Sequence, residues 1–168
     1  MYHVQNENLK LLAIFYSLDN CLAFLINFLV LFRLDNLRTL ILSDNLLDHL
    51  KIHTSTSRMI FPVLSMLDLS NNMIDMIPQT ISELQNLSVL NISGNAKISD
   101  LPAQMGLLTK LWNLNTRGCS LHEPLATMMT SKTYKTSDVI GYLRYFSTLW
   151  KLQNFSVTHI FCEIKVSV

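Results

Sequence analysis

The sequence predicts an α/β solenoid of about four stacked repeats closed by a C-terminal helix. Three observations carry that expectation. Leucines recur in one short pattern, the pattern returns every 23 to 27 residues, and an asparagine stands at the same place in successive copies.

The first 32 residues contain the apolar run at residues 11–32, "LLAIFYSLDNCLAFLINFLVLF", bounded by Lys10 and Arg33 with Asp19 as its one charge. Its length would span a bilayer. Asp19, Asn20 and Asn27 oppose insertion, Asp19 alone by about 2.5 to 3.5 kcal/mol near the centre of a spanning helix. A secretory leader fits worse, since no basic cluster precedes the run and no small-residue cleavage site follows it. Residues 1–32 are therefore expected to be a degenerate first repeat or a non-native extension, with membrane insertion the less favoured reading.

Residues 33–123 carry the repeats. "LDNLRTLILSDNLLDHL" sets Leu37, Leu40, Leu42 and Leu47 around Asn45, and "LSMLDLSNNMIDMIP" sets Leu64, Leu67, Leu69 and Ile74 around Asn72. "LSVLNISGNAKISDLP" follows with Leu87, Leu90, Ile92 and Asn95. The last copy, "LWNLNTRGCSL", has Leu111, Leu114 and Leu121, with Thr116 in an aliphatic place and Cys119 in the asparagine place. Leu40, Leu67, Leu90 and Leu114 lie 27, 23 and 24 residues apart. This is the leucine-rich repeat pattern L-x-x-L-x-L-x-x-N/C-x-L.

Each copy predicts a short strand, a turn, and a return along the other side. The turn points backbone N–H and C=O groups inward without a ladder, and each unpaired buried group costs roughly 1 to 3 kcal/mol. An inward carboxamide supplies donor and acceptor together. Asn45, Asn72 and Asn95 are therefore expected to form a structural column, with the Cys119 thiol a weaker version at its end.

The returns carry apolar residues at spacings of three and four, Ile77, Ile81, Leu84 and Leu87 in one and Leu101, Met105, Leu108 and Leu111 in the next. They predict short helical segments beginning near Pro78 and Pro102, where no N–H is needed. The longer polar return "KIHTSTSRMIFPVL" is expected to be an irregular loop.

Residues 124–146 predict a capping or linker helix. Thr136 or Ser137 is the expected N-cap, and Val139, Ile140, Leu143 and Phe146 follow at helical spacing. Such a helix would cover the open edge of the last repeat, as stacked repeats require. Residues 147–168 abandon the pattern and receive no assignment.

Composition removes several function classes. Thirteen Lys and Arg against twelve Asp and Glu leave a net charge of +1, which supplies no basic field for nucleic acid. Cys21, Cys119 and Cys162 are odd in number and far apart, so neither a disulfide framework nor a zinc site is expected. His3, His49, His53, His122 and His159 are scattered, and "LHEPL" is not H-E-x-x-H. His49 and His53 could share a helical face, but a solvated pair is the expected reading. No catalytic residue, cofactor or metal is predicted.

Function should instead lie on the strands. The residues between the buried leucines of parallel strands face outward on the concave side. They form the rows Arg38, Ser65, Ser88, Trp112; Thr39, Met66, Val89, Asn113; Ile41, Asp68, Asn91, Asn115; and Ser43, Ser70, Ser93, Arg117. The candidate partner-binding residues are Arg38, Met66, Asp68, Asn91, Trp112, Asn113, Asn115 and Arg117. Trp112 and Arg117 lead them, because aromatic and Arg side chains dominate interface energetics. The alternative for Trp112 is packing against the terminal cap.

From Leu34 to about Phe146 the chain resembles the C-terminal leucine-rich repeats of the Roco family, in particular the leucine-rich repeat kinases. "GLLTKLWNLNTRGCSLHEPL" followed by "YKTSDVIGYLRYF" carries the resemblance, being similar to the last repeat and the linker helix into that family's Ras-like GTPase domain. The resemblance implies an intracellular, cytoplasmic signalling parent. Phosphate-loop, H-R-D and D-F-G motifs are absent, so no nucleotide or kinase function carries over, and the loss of pattern at both ends predicts a truncated product. The expected function is a non-enzymatic scaffold module binding a protein on its concave face. A regulatory fragment acting in trans on a Ras-like GTPase domain, and a membrane-anchored receptor, are the alternatives.

Overall fold

A computed structural model describes residues 8–10, 36–50 and 61–149. Its centre is a parallel sheet of five three-residue strands in sequence order: β1 (Asn8–Lys10), β2 (Thr39–Ile41), β3 (Met66–Asp68), β4 (Val89–Asn91) and β5 (Asn113–Asn115). The register is the repeat itself. Leu40 pairs with Leu67, Leu67 with Leu90, and Leu90 with Leu114. The aligned leucines all point into one core.

β1 adds a strand beyond the four copies, with Leu9 beside Leu40. The sequence did not single it out, because five residues past Leu9 stands Ile14, where Asn45, Asn72 and Asn95 stand five past their own leucines. The expected loop at residues 51–60 and the apolar run at 11–32 lie outside the described residues. Among those described, no helix is long and apolar enough to cross a membrane.

The core runs the length of the stack. Leu37, Leu64, Leu87 and Leu111 line one level, while Leu42, Leu69 and Ile92 line another, all buried. Fully burying such a side chain contributes about 1.5 to 3 kcal/mol, enough across the core to order strands too short to stand alone.

The returns are short helices from Pro78 and Pro102 as expected, Gln79–Glu83 and Ala103–Leu107, and both are of the 3₁₀ type. Within each, the apolar residues fall three apart, and so do the hydrogen bonds. Ile81, Leu84 and Leu87 donate to Pro78, Ile81 and Leu84 in turn, and Met105, Leu108 and Leu111 donate to Pro102, Met105 and Leu108. Three residues per turn puts Ile81, Leu84 and Leu87 on one face, and the 3₁₀ rise of ≈2.0 Å per residue covers the return in fewer residues than an α-helix. Pro78 and Pro102 cap these turns in extended geometry.

Residues 124–146 form two helices instead of one. α1 is Leu125–Thr130, and α2 spans residues 136–149. The N-cap of α2 falls one residue before the first of the two expected positions. Lys135 is its N-cap, since Asp138 and Val139 donate to the Lys135 carbonyl and the Asp138 carboxylate accepts the Lys135 N–H at 2.8 Å. Val139, Ile140 and Leu143 bury against the last repeat. Gly106 lets the two meet, for a Cβ there would run into the Arg144 backbone, and Arg144 Nε donates to the Gly106 carbonyl at 2.8 Å.

Candidate protein-interaction surface

Strand alternation sends the leucines inward and the intervening side chains to the open face of the sheet. Register then builds the rows. Thr39, Met66, Val89 and Asn113 lie side by side, as do Ile41, Asp68, Asn91 and Asn115. Arg38, Trp112, Asn113, Asn115 and Arg117 are exposed, while Met66, Asp68 and Asn91 are half-buried. Trp112 is 69% exposed, which leaves it on the open face rather than packed beneath the cap. It stands immediately before β5, an exposed aromatic at the edge of the strand rows.

The turns that hold this face are built twice over. Inside, Asn72 Nδ2 donates to its own turn at Leu69 and Ser70 and crosses to the Leu42 carbonyl of the preceding repeat at 2.9 Å, while its Oδ1 accepts the Leu47 N–H. Asn95 repeats the arrangement one step on, donating to Leu69 and Ile92 and accepting from Ile74. Asn45 donates to Leu42 and Ser43. Cys119 Sγ donates to the Ile92 carbonyl at 3.3 Å, with the thiol pushed up by burial and partly offset by a backbone hydrogen bond from Asn95.

Outside, the strand-end side chains close local turns. Asp68 Oδ1 accepts the Ser70 N–H at 2.9 Å and the Ser70 hydroxyl at 2.6 Å. Asn91 Oδ1 does the same for Ser93, and Asn115 Oδ1 accepts the Arg117 N–H at 3.2 Å. Asp68, Asn91 and Asn115 thus shape the backbone besides lining the face. Their two-residue spacing to Ser70, Ser93 and Arg117 carried that signal, since Asx side chains bond the backbone two residues on.

A second missed signal precedes the asparagines. Asp44, Asn71, Gly94 and Gly118 all take positive φ, at 59°, 53°, 73° and 81°. Asp, Asn and Gly are the residues that enter this left-handed region at least cost, so the pairs D-N, N-N, G-N and G-C were a readable turn signature. Asn71 Nδ2 reaches back to Asp44 Oδ1 at 2.8 Å, joining two of these positions.

Of the five histidines, His49 and His122 lie among the described residues. His49 Nδ1 lies 3.3 Å from Asp75 Oδ1 on an exposed edge, and His53 is outside the described residues. Among the described residues no group of three or more His, Cys, Asp or Glu is placed to hold a metal. A cleft of about 510 Å³ does lie off the sheet, between the second 3₁₀ helix and the cap, lined by Pro102, Gln104, His122, Glu123, Tyr142 and Phe146.

Comparison with known proteins bears on the repeats. Residues 62–104 match the family described as leucine-rich repeats in two copies. Over 111 residues, 66% of the chain, the sequence is 38% identical to leucine-rich repeat serine/threonine-protein kinase 1 of Caenorhabditis elegans. The resemblance to the leucine-rich repeat kinases holds. The fold is a leucine-rich repeat fold with a parallel sheet. The match takes in 5% of that kinase's length, and it is repeat sequence without the kinase or GTPase domain. Among solved structures, the plant peptide hormone receptor RGFR1 in complex with RGF2 overlaps 54% of this chain and 14% of its own, at 34% identity and a TM-score of 0.43.

Proposed function

We propose that this chain is a non-enzymatic protein-interaction module, a four-repeat solenoid whose concave sheet face docks a protein partner in a cytoplasmic signalling assembly. The observation that carries the reading is the aligned outward rows ending in the exposed Trp112 and Arg117 on either side of β5. A large exposed aromatic before β5 and a cation after it, on a face held by the buried column, are residue types enriched in interface hot spots. The similarity to a leucine-rich repeat kinase supports a signalling setting of the Roco type, with a Ras-like GTPase domain as one partner the face could meet.

The test is proximity labelling in cells with the full chain fused to a biotin ligase, compared with a Trp112→Ala, Arg117→Ala variant. Both residues lie outside the core, so the variant should fold. Loss of a discrete set of labelled proteins is expected. Identical sets would remove the proposed surface.

A further inference from the structure

We infer that the β4–β5 half of the open face docks an acidic, extended segment of a partner protein, its Asp or Glu carboxylates set against the outward amides of Asn91 and Asn115 and the Arg117 guanidinium. This rests on the concave-face reading above and gives that face a ligand chemistry. The starting point is the orientation of two carboxamides. Asn91 Oδ1 accepts from the Ser93 N–H and hydroxyl, and Asn115 Oδ1 accepts from the Arg117 N–H. A backbone N–H demands an oxygen, so each turn fixes which way its amide lies. Each Nδ2 is then left pointing away from the turn. Among the described residues neither has a protein acceptor.

Two donor groups therefore stand side by side, because Asn91 and Asn115 are register partners on neighbouring strands. Parallel neighbours lie about 4.8 Å apart, a gap that the two oxygens of one carboxylate can bridge. Arg117 adds an exposed cation two residues past Asn115, in the turn that the Asn115 side chain closes. The rest of this half-face is Ser88, Val89, Ser93, Trp112 and Asn113, which brings no anion. Donors outnumber acceptors, and the one formal charge is positive.

The other half sets the limit. Asp68 occupies the equivalent place on β3 and closes the same turn, so its carboxylate borders Asn91 and repels an anion at that end. The favoured seat is consequently the Asn115 and Arg117 end, about two strand spacings, or ~10 Å, from Asp68. Trp112, three residues before Asn115, offers an aromatic surface to the side chain beside the acid. A chain that is nearly neutral overall, with a single cation here, suits a few carboxylates better than a polyphosphate backbone.

Asp68 also supplies the test, since it shows that an aspartate closes this turn as well as an asparagine does. Asn91→Asp with Asn115→Asp keeps both turns and replaces each outward donor by a carboxylate oxygen. The full chain is titrated into a fluorescein-labelled random Glu/Tyr copolymer, and into a Lys/Tyr copolymer of the same length, at low salt with anisotropy as the readout. Wild type should bind the Glu/Tyr probe, and the double variant about tenfold more weakly. The variant should also gain affinity for the Lys/Tyr probe. Arg117→Ala leaves the turn's backbone N–H in place and should weaken the Glu/Tyr probe similarly, which keeps the inference testable if the double variant fails to fold. Equal binding of both probes by wild type, or Glu/Tyr binding unchanged in the variants, overturns it. Should that happen while Trp112→Ala, Arg117→Ala still empties the labelled set, the surface stands and its acidic ligand falls. Unchanged labelling as well would sink both.

Discussion

Asn95 donates its side-chain amide to the Leu69 carbonyl of the preceding repeat at 3.0 Å, and its own carbonyl accepts the Ile74 N–H of that same repeat at 3.0 Å. One fully buried side chain thus closes two backbone groups that lie 26 and 21 residues back. Repeats are joined by this exchange as well as by leucine contact.

Asn95→Ala should therefore be costly. It leaves the buried Ile74 N–H without a partner and the Leu69 and Ile92 carbonyls with only Asn72 Nδ2 and Cys119 Sγ, so a loss of about 2 to 3 kcal/mol is expected in urea unfolding of the full chain. Asn45→Ala should cost about 1 kcal/mol, because Asn45 is half-buried and donates only within its own turn. Equal losses at the two positions would show that the column does not couple neighbouring repeats.

The column ends on sulfur for a reason that follows from the same geometry. Asn72 and Asn95 each accept a backbone N–H through Oδ1, whereas the hydrogen bond that Cys119 makes is donation to Ile92. Cys119→Asn restores the pattern residue but puts a larger amide where the half-buried thiol donates to the Ile92 carbonyl. No stabilisation is expected, and Cys119→Ser should be tolerated better than Cys119→Asn in the same melt. A Cys119→Asn protein melting above wild type would refute this account.

Burial raises the Cys119 thiol, so its thiolate is scarcer than an ordinary one at a given pH. The sign follows directly. A group whose folded value is raised holds its full contribution below the unfolded value and loses it as pH climbs through the folded one. Alkylation of Cys119 by iodoacetamide, read by mass spectrometry of its peptide, should lag an unfolded control, with its pH midpoint displaced upward. Labelling as fast as the unfolded chain at every pH would show the site open.

Much of this was legible in the sequence because the repeat fixes both depth and register. Leu40, Leu67, Leu90 and Leu114 announced the strands, and the residues between them announced the rows of the open face. The returns were legible as short helical segments starting at Pro78 and Pro102 but not as 3₁₀ ones, since Ile77 to Ile81 is a step of four and masks the steps of three at Ile81, Leu84 and Leu87 that favour a 3₁₀ turn. The hidden partner of α2 had no local signal at all. Gly106 and Arg144 are 38 residues apart, and their contact exists only once the cap is docked.

Gly94 gives a sharper test of the turn than its φ alone would. At +73° an L side chain is strained, and an added Cβ would also strike the Asn71 side chain of the repeat before. Gly118, at +81°, faces only the Gly94 backbone at 3.4 Å or more. Gly94→Ala should therefore destabilise by about 2 kcal/mol and Gly118→Ala by about 1 kcal/mol. The order of the two, measured by thermal melting, is the discriminating result.

Gly106→Ala addresses the cap. The new methyl would meet the Arg144 backbone, which is not the pliable end of a side chain, so α2 has to move away from the last repeat. Overpacking of this kind costs about 1 to 3 kcal/mol, and here it should fall on one element. Hydrogen exchange should show residues 139–146 losing protection while β3 and β4 keep theirs, because stacked repeats communicate through neighbours and the lesion sits at the end of the stack. Arg144→Lys, which keeps the charge but removes the Nε donor to the Gly106 carbonyl, should loosen the same residues less. Uniform loss of protection across the sheet would instead mean that the cap and the repeats unfold as one unit.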